Sequence, residues 1–322
     1  MDGSLLAYAL VLPVLAGTLL GAALLTWWER RLLGFLQDRP GPNRVGPGGV
    51  LQAVADMIKL FAKEDWIPPF ADRVLFVLAP VAAAGSMLLA FAIVPWAAGA
   101  AILEINVGLL FFVAMTSLGV YGVLLAGLAS HSKYALLGGL RSAAQLISYE
   151  VFLGLSLLGV VVHAGSFDLG AIVRAQEHGW FLLPQFAGFV VFFIAGVAEA
   201  HRLPFDLPEA EHELAAGFHT EYSGMKFGLI MLGEYLSVIL TSVMVTVLFL
   251  GGWLGPAFLP GGVWFAGKSF LLVCGFILLR AALPRPRYDQ LMGLGWKVLL
   301  PVTLVNLLAT GAIVLARGEG LS

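Results

Sequence analysis

A single cysteine, Cys274, stands in the whole chain, inside an apolar run. One thiol supplies neither an internal disulfide nor the ligand set of an iron–sulfur cluster. Charge is scarce too: Asp, Glu, Lys and Arg make up 12% of the residues, about half of what a soluble domain uses. Neither standard spacing of a glycine-rich phosphate loop occurs, so no nucleotide site is visible. The six histidines show no tight metal-ligand spacing; His212 and His219 share a helix face two turns apart and read as surface groups. A net charge of -2, with no basic patch interleaved with aromatics, gives no sign of nucleic acid binding. If redox chemistry is involved, the electron carriers must sit on other chains.

Apolar length is what the chain has in abundance. Hydrophobic residues reach 60% and the mean hydropathy is +0.93. Eight runs are long enough to span a bilayer: about 4–28, 74–97, 105–129, 136–162, 180–200, 225–250, 262–283 and 292–316. The expected fold is an all-α integral membrane protein, one polytopic domain over 1–322. The first run is too long for a cleaved leader and ends in Trp27-Trp28-Glu29-Arg30-Arg31, an aromatic belt and a charged anchor. The loops after spans 1, 3, 5 and 7, with their flanks, hold 15 of the 18 Lys and Arg; the other side holds Arg174, Lys268 and Arg317. The positive-inside rule puts the odd-numbered loops in the cytoplasm and both termini outside.

The first loop, about 29–73, has structure of its own. Residues 39–49 are too broken by Pro and Gly for helix or strand and read as a rigid irregular loop. The segment 50–63, VLQAVADMIKLFAK, puts Gln52, Asp56, Lys59 and Lys63 on one narrow stripe, as in an amphipathic helix lying in the membrane interface. Asp56 and Lys59, three apart, read as a surface ion pair worth tenths of a kcal/mol.

Three carboxylates lie within or at the ends of apolar spans. Glu150 is nine residues past Arg141, roughly 13 Å further along a helix, with Gln145, Ser148 and Tyr149 near enough to solvate it. Glu234 stands eight residues past Lys226, and Glu199 closes span 5. Such groups are costly unless neutral, paired or hydrated. Too few for a metal cage, they fit proton conduction best.

The stretch HRLPFDLPEAEHELAAGFHTEY, 201–222, carries Asp206, Glu209, Glu211, Glu213 and Glu221, a quarter of all 20 acids. Asp206 suits a cap, Pro208 a first turn, and a helix is expected to about Ala216, before Gly217. Acids near a helix N-terminus are favourable, whereas Glu209 and Glu213 on one face repel. Physics alone balances a solvated surface helix against an acidic funnel. In the last loop, Arg280 to Lys297, the cations read mostly as topology anchors and Asp289 as a surface partner of Arg287.

Several of these segments, in this order, resemble the H subunit family of bacterial proton-translocating NADH:quinone oxidoreductase, the counterpart of mitochondrial NADH dehydrogenase subunit 1. The resemblance covers nearly the whole chain and is carried by residues 29–47 (ERRLLGFLQDRPGPNRVGP), 55–65, 133–157, 198–235 and 283–297 (LPRPRYDQLMGLGWK). It implies eight membrane helices and a membrane-side quinone tunnel opening between span 1, the amphipathic helix and span 6. Arg30, Arg39, Asp56, Lys59 and Arg202 are the implied quinone-tunnel residues. The implied proton-coupling acids are Glu29, Glu150, Glu199, Asp206, Glu209, Glu211, Glu213, Glu221 and Glu234. Quinone would be the substrate, with FMN, NADH and iron–sulfur clusters on partner subunits of a respiratory complex in the bacterial inner membrane. One departure stands out: many relatives have Glu in span 3 where this chain has Ser117. A strict relay through that acid cannot operate here, so Ser117 with water, or a neighbouring subunit's carboxylate, must bridge the gap.

Two rivals remain on sequence grounds. A membrane subunit of a proton-pumping hydrogenase or formate hydrogenlyase would share the fold, but has no use for the amphipathic entrance. A stand-alone ion transporter would usually show internal repeats or paired broken helices, which this chain does not clearly have.

Overall fold

The computed structural model describes the backbone over residues 3–207, 215–256 and 258–316, with side chains from residue 10. Among these residues every regular element is helical. Helix α1 (Gly3–Leu36) leads to α2 (Gln52–Ala62), α3 (Arg73–Ala90), α4 (Gly108–Ala129), α5 (Lys133–Ala164), the short α6 (Leu169–Arg174) and α7 (Phe186–Glu199). Then come α8 (Gly224–Phe249), α9 (Gly261–Ala282), α10 (Tyr288–Leu294) and, after a π-helical turn at Gly295–Leu299, α11 (Leu300–Ala316). Seven helices are long and apolar enough to cross a membrane, with α10, the π turn and α11 counted as one. The chain is thus a multi-pass membrane protein.

Several boundaries differ from the hydropathy reading, and two have clear local causes. The first helix does not stop at the Trp pair but continues through Glu29-Arg30-Arg31 to Leu36. No proline intervenes before Pro40, and Glu29 is buried and bonded rather than solvated. At the other extreme, α7 has only 14 residues, about 21 Å of helix against a hydrocarbon core of about 30 Å. The chain before it folds into turns gripped by buried Gln176, which donates to Ile172 O and Val247 O and accepts from the Phe181 and Gly251 amides. Gln185 then binds Thr310 at 2.6 Å and Asn306 at 2.8 Å, fastening the start of α7 to α11.

Helix α8 is the centre of the bundle. Its most apolar window is 83% buried, against 17% for α1, and it packs against α1, α2, α3, α6, α7 and α9. Lipid is as apolar as Leu, so helices associate in a bilayer through close packing and polar contacts rather than hydrophobic transfer. Small residues supply the packing: a Cβ at Gly122 of α4 would lie 2.7 Å from the Ala83 backbone nitrogen of α3. Polar side chains supply the rest. At the far end of α8, Lys268 Nζ donates to Leu250 O (2.6 Å), Gly252 O (3.1 Å) and Leu254 O (2.6 Å) and sits 5.0 Å from the Trp180 ring centroid.

The irregular loop after α1 folds back onto that helix. Arg31 and Trp27 both donate to Gly48 O, and Gly49 takes φ 78°, where a side chain would strike Pro42. Helix α2 buries Ala53 and leaves Val54, Met57, Ile58 and Phe61 exposed. At its end, Asp65 reaches buried Lys226 of α8 at 2.5 Å.

The stretch 198–207 is anchored on α5. Gln145, fully buried, donates to both Ala198 O and Phe205 O at 2.9 Å, and Ser142 meets His201 Nε2 at 2.7 Å. Gln145→Leu keeps the side chain's size and strands two carbonyls in a dry interface, at a cost of roughly 1–3 kcal/mol. It is expected to lower the thermal unfolding midpoint of the assembled protein by several degrees; an unchanged midpoint would mean the turn is held by other contacts.

Candidate functional site

The buried carboxylate Glu29 faces the middle of the bundle from α1. It accepts from Arg280 of α9 and, at 2.8 Å, from the Tyr235 hydroxyl of α8. Arg202, in the turn after α7, lies 3.9 Å from Glu29 and 3.7 Å from Glu234, with its guanidinium 4.2 Å from the Tyr235 ring centroid. Two arginines therefore face two carboxyl groups; Arg280 is 37% exposed and the other three point inward. Desolvating any one of these charges alone costs several kcal/mol, and mutual pairing offsets it; Arg202 is 15% exposed and both carboxylates 6%. Arg-over-Tyr stacking adds up to about 2 kcal/mol where water is excluded.

Two cavities adjoin this cluster. The larger, about 40 Å³, lies between α3, α4, α5 and α8; Glu199, His201, Glu234 and Thr116 give it polarity in an otherwise apolar wall. The smaller, about 20 Å³, lies between α1, α8 and α9 and is lined by Glu29, Arg202, Tyr235 and Arg280. Glu234 lines the first and Arg202 the second, so their ion pair separates the two spaces. Thr116 and Glu199 line the larger cavity together, and next to them Glu150 of α5 accepts from Ser117 of α4.

The sequence-derived residues distribute as follows. Arg30 and Asp56 meet at 2.7 Å, joining the end of α1 to α2, and Asp56 also accepts from Gln52 at 2.9 Å. Asp56 thus turns to Arg30, across the groove, rather than along its own helix to Lys59, because α1 extends past Arg30. Lys59 and Arg39 are exposed, Arg39 bonded to Gln37 at 2.9 Å, and the structure does not bring either to Arg202. Glu29, Glu150, Glu199 and Glu234 converge. Asp206 is buried and takes Arg285 from the last loop. Glu221 is half-buried in the turn before α8; its neighbour Tyr222 stacks on Phe76 at 4.0 Å, and burial pushes that phenol's pKa up. Glu209, Glu211 and Glu213, with the helix expected from Pro208, lie outside the described residues.

Arg280 and Arg285 are the residues that sequence reasoning passed over as anchors. Arg280 had a signal: it falls inside an apolar span, one turn after Phe276, so the rule for intramembrane charges applied to it as to Glu150. Arg285, in a proline-flanked loop, had none. The solvation expected for Glu150 is also corrected. Tyr149 donates to Leu291 O, Ser148 to Ala144 O and Gln145 to the 198–205 turn, because all three point into the bundle while Glu150 faces α4. Arg287 and Asp289 do form the exposed pair, at 2.7 Å and 2.9 Å.

The sequence that builds this site matches a known protein family. The family model described as NADH dehydrogenase matches residues 9–311. The H subunit of the NADH-quinone oxidoreductase of Methylococcus capsulatus is 60% identical over 305 residues, covering 95% of this chain and 96% of that one. A match of that length, through every helix that contributes to the charged cluster, means that the chain belongs to the NADH dehydrogenase family.

Proposed function

We propose that this chain is the membrane subunit of a respiratory NADH:quinone oxidoreductase that borders the quinone site and couples quinone reduction to proton translocation. The observation that carries the reading is the Glu29–Arg202–Glu234 contact, which sets a charged cavity against a second cavity leading to Glu199. In this reading the short α7 counts as a span, giving eight, with the Lys- and Arg-rich loops in the cytoplasm and both termini on the periplasmic side of the inner membrane. NADH, FMN and iron–sulfur clusters belong to partner subunits docked on the cytoplasmic face.

Quinone enters beside α2, past Arg30 and Asp56, with Arg39 and Lys59 on the exposed rim. The cavity of Glu29, Arg202, Tyr235 and Arg280 receives the change in charge that quinone reduction produces. Arg202 is the pivot: a new negative charge on the quinone side draws the guanidinium away from Glu234, and Glu234 then gains a proton to remain neutral in its apolar wall. Asp206, Glu209, Glu211, Glu213 and Glu221 supply protons from the cytoplasmic side, and Glu199 and Glu150 take them onward. Each step needs only groups whose charged forms depend on partners close at hand.

Glu234→Gln and Glu150→Gln, each in the assembled complex in sealed vesicles, are expected to cut proton translocation per NADH oxidised several-fold. Pumping at the wild-type ratio in both variants would sink the proposal. Asp56→Asn removes half of a partly exposed ion pair worth at most about 1 kcal/mol, and with it alignment at the entrance. It is expected to raise the KM for quinone about two- to fivefold with kcat preserved; a fall in kcat alone would take Asp56 out of the entrance.

A further inference from the structure

Backbone contacts gather three basic side chains at one corner of the bundle, away from the charged cluster. Asp72 N, at the start of α3, donates to Ala129 O at the end of α4, 3.1 Å away. The end of α4 lies in turn on the start of α5, where a Cβ at Gly127 would stand 2.6 Å from Ala135 O. Arg73, His131 and Lys133 flank these contacts, so all three stand at the same end of three packed helices. Each is exposed, and among the described residues none has a side-chain hydrogen bond, ion pair or ring contact.

These three helices offer little acid to neutralise them. From Ile67 to Ile147 the sequence holds two acids, Asp72 and Glu104. Asp72 is engaged as the cap of α3, accepting from the Val74 and Leu75 amides at 3.0 Å and 3.3 Å. Glu104 lies in the connection between α3 and α4, at the opposite end of both helices. Membrane topology asks for cations somewhere along such loops; it does not ask for a cluster above a continuous apolar wall. That wall is present: Val74 and Leu78 of α3, Leu128 of α4 and Leu137 of α5 are all exposed, with Tyr134 at its upper edge. An acidic soluble partner would meet the cations and leave the wall bare. A zwitterionic lipid would cover the wall, but brings its own ammonium to the cations. A lipid with a net negative headgroup satisfies both.

We propose that the corner formed by Arg73, His131 and Lys133 binds an anionic phospholipid, its headgroup phosphate held by the basic side chains and its acyl chains lying on the exposed wall of α3, α4 and α5. Arg73 and Lys133 supply charge, and the His131 ring a further hydrogen-bond donor. The site is independent of the proton-path reading, since none of its residues lines either cavity.

The test reconstitutes the assembled complex in nanodiscs carrying a photoactivatable phosphatidylglycerol or, at the same mole fraction, its phosphatidylcholine counterpart. Labelled peptides are then mapped by mass spectrometry. Segments 73–81 and 128–140 are expected to take about threefold or more label from phosphatidylglycerol than from phosphatidylcholine. Arg73→Gln combined with Lys133→Gln is expected to bring the two lipids level. Arg73→Lys combined with Lys133→Arg, which keeps both charges, is expected to retain the preference. Equal labelling by both lipids in the unmodified complex would overturn the site, whether or not the double Gln variant assembles. Absence of label from both would overturn it too, and would mean that a neighbouring subunit covers this face. A preference that survives the double Gln substitution would take the cations out of the site and the proposal with them.

Discussion

A guanidinium held between two buried carboxylates is the constraint on which the rest of this structure depends. Arg202 cannot stay in an apolar bundle without Glu29 and Glu234, and neither acid can stay there ionised without Arg202 and Arg280. Satisfying all four charges requires α1, α8, α9 and the turn after α7 to meet at one place. Tyr235 closes the group, bonded to Glu29 and lying under Arg202. The same requirement fixes where the two cavities lie, because each takes one side of the Arg202–Glu234 pair as its wall.

The bundle tolerates this polar centre because its surroundings are arranged to carry it. The turn bearing Arg202 belongs to no helix over residues 201–207, and it leans on Gln145, Ser142 and Arg285. A buried irregular segment is stable only where its backbone groups find partners, and Gln145 supplies one to Phe205 O and one to Ala198 O. The price is that a change on α5, at Gln145 or Ser142, is felt in the turn that carries Arg202.

Much of this was legible beforehand. Long apolar runs located the helices to within a few residues in the middle of the chain, since lipid imposes one rule on every span. The stripe of α2 was readable because its period alone separates a wet face from a greasy one. The carboxylates Glu150, Glu199 and Glu234 announced themselves by their depth. Partnership was not legible. Nothing in the spacing tells Asp56 to choose Arg30 over Lys59, or Glu29 to find Arg280, 251 positions away; such choices are made by the crossing of helices. The early end given to span 1 and the generous length given to span 5 share a cause, for hydropathy weighs residues singly and cannot see that Glu29 is paired or that 180–185 is folded into turns. Family resemblance closed part of that distance, joining segments that local physics left separate.

The clamp at the far end of α8 bears on all of this. Lys268 binds three carbonyls of the turn there, and Gln176 ties down the amide of Gly251 among them. The near end is held as well, by buried Lys226 on Asp65 just after α2. Glu234 and Tyr235 lie between the two ties. The charged cluster is thus carried on a rod held at both ends, which keeps Glu234 and Tyr235 in register with Arg202.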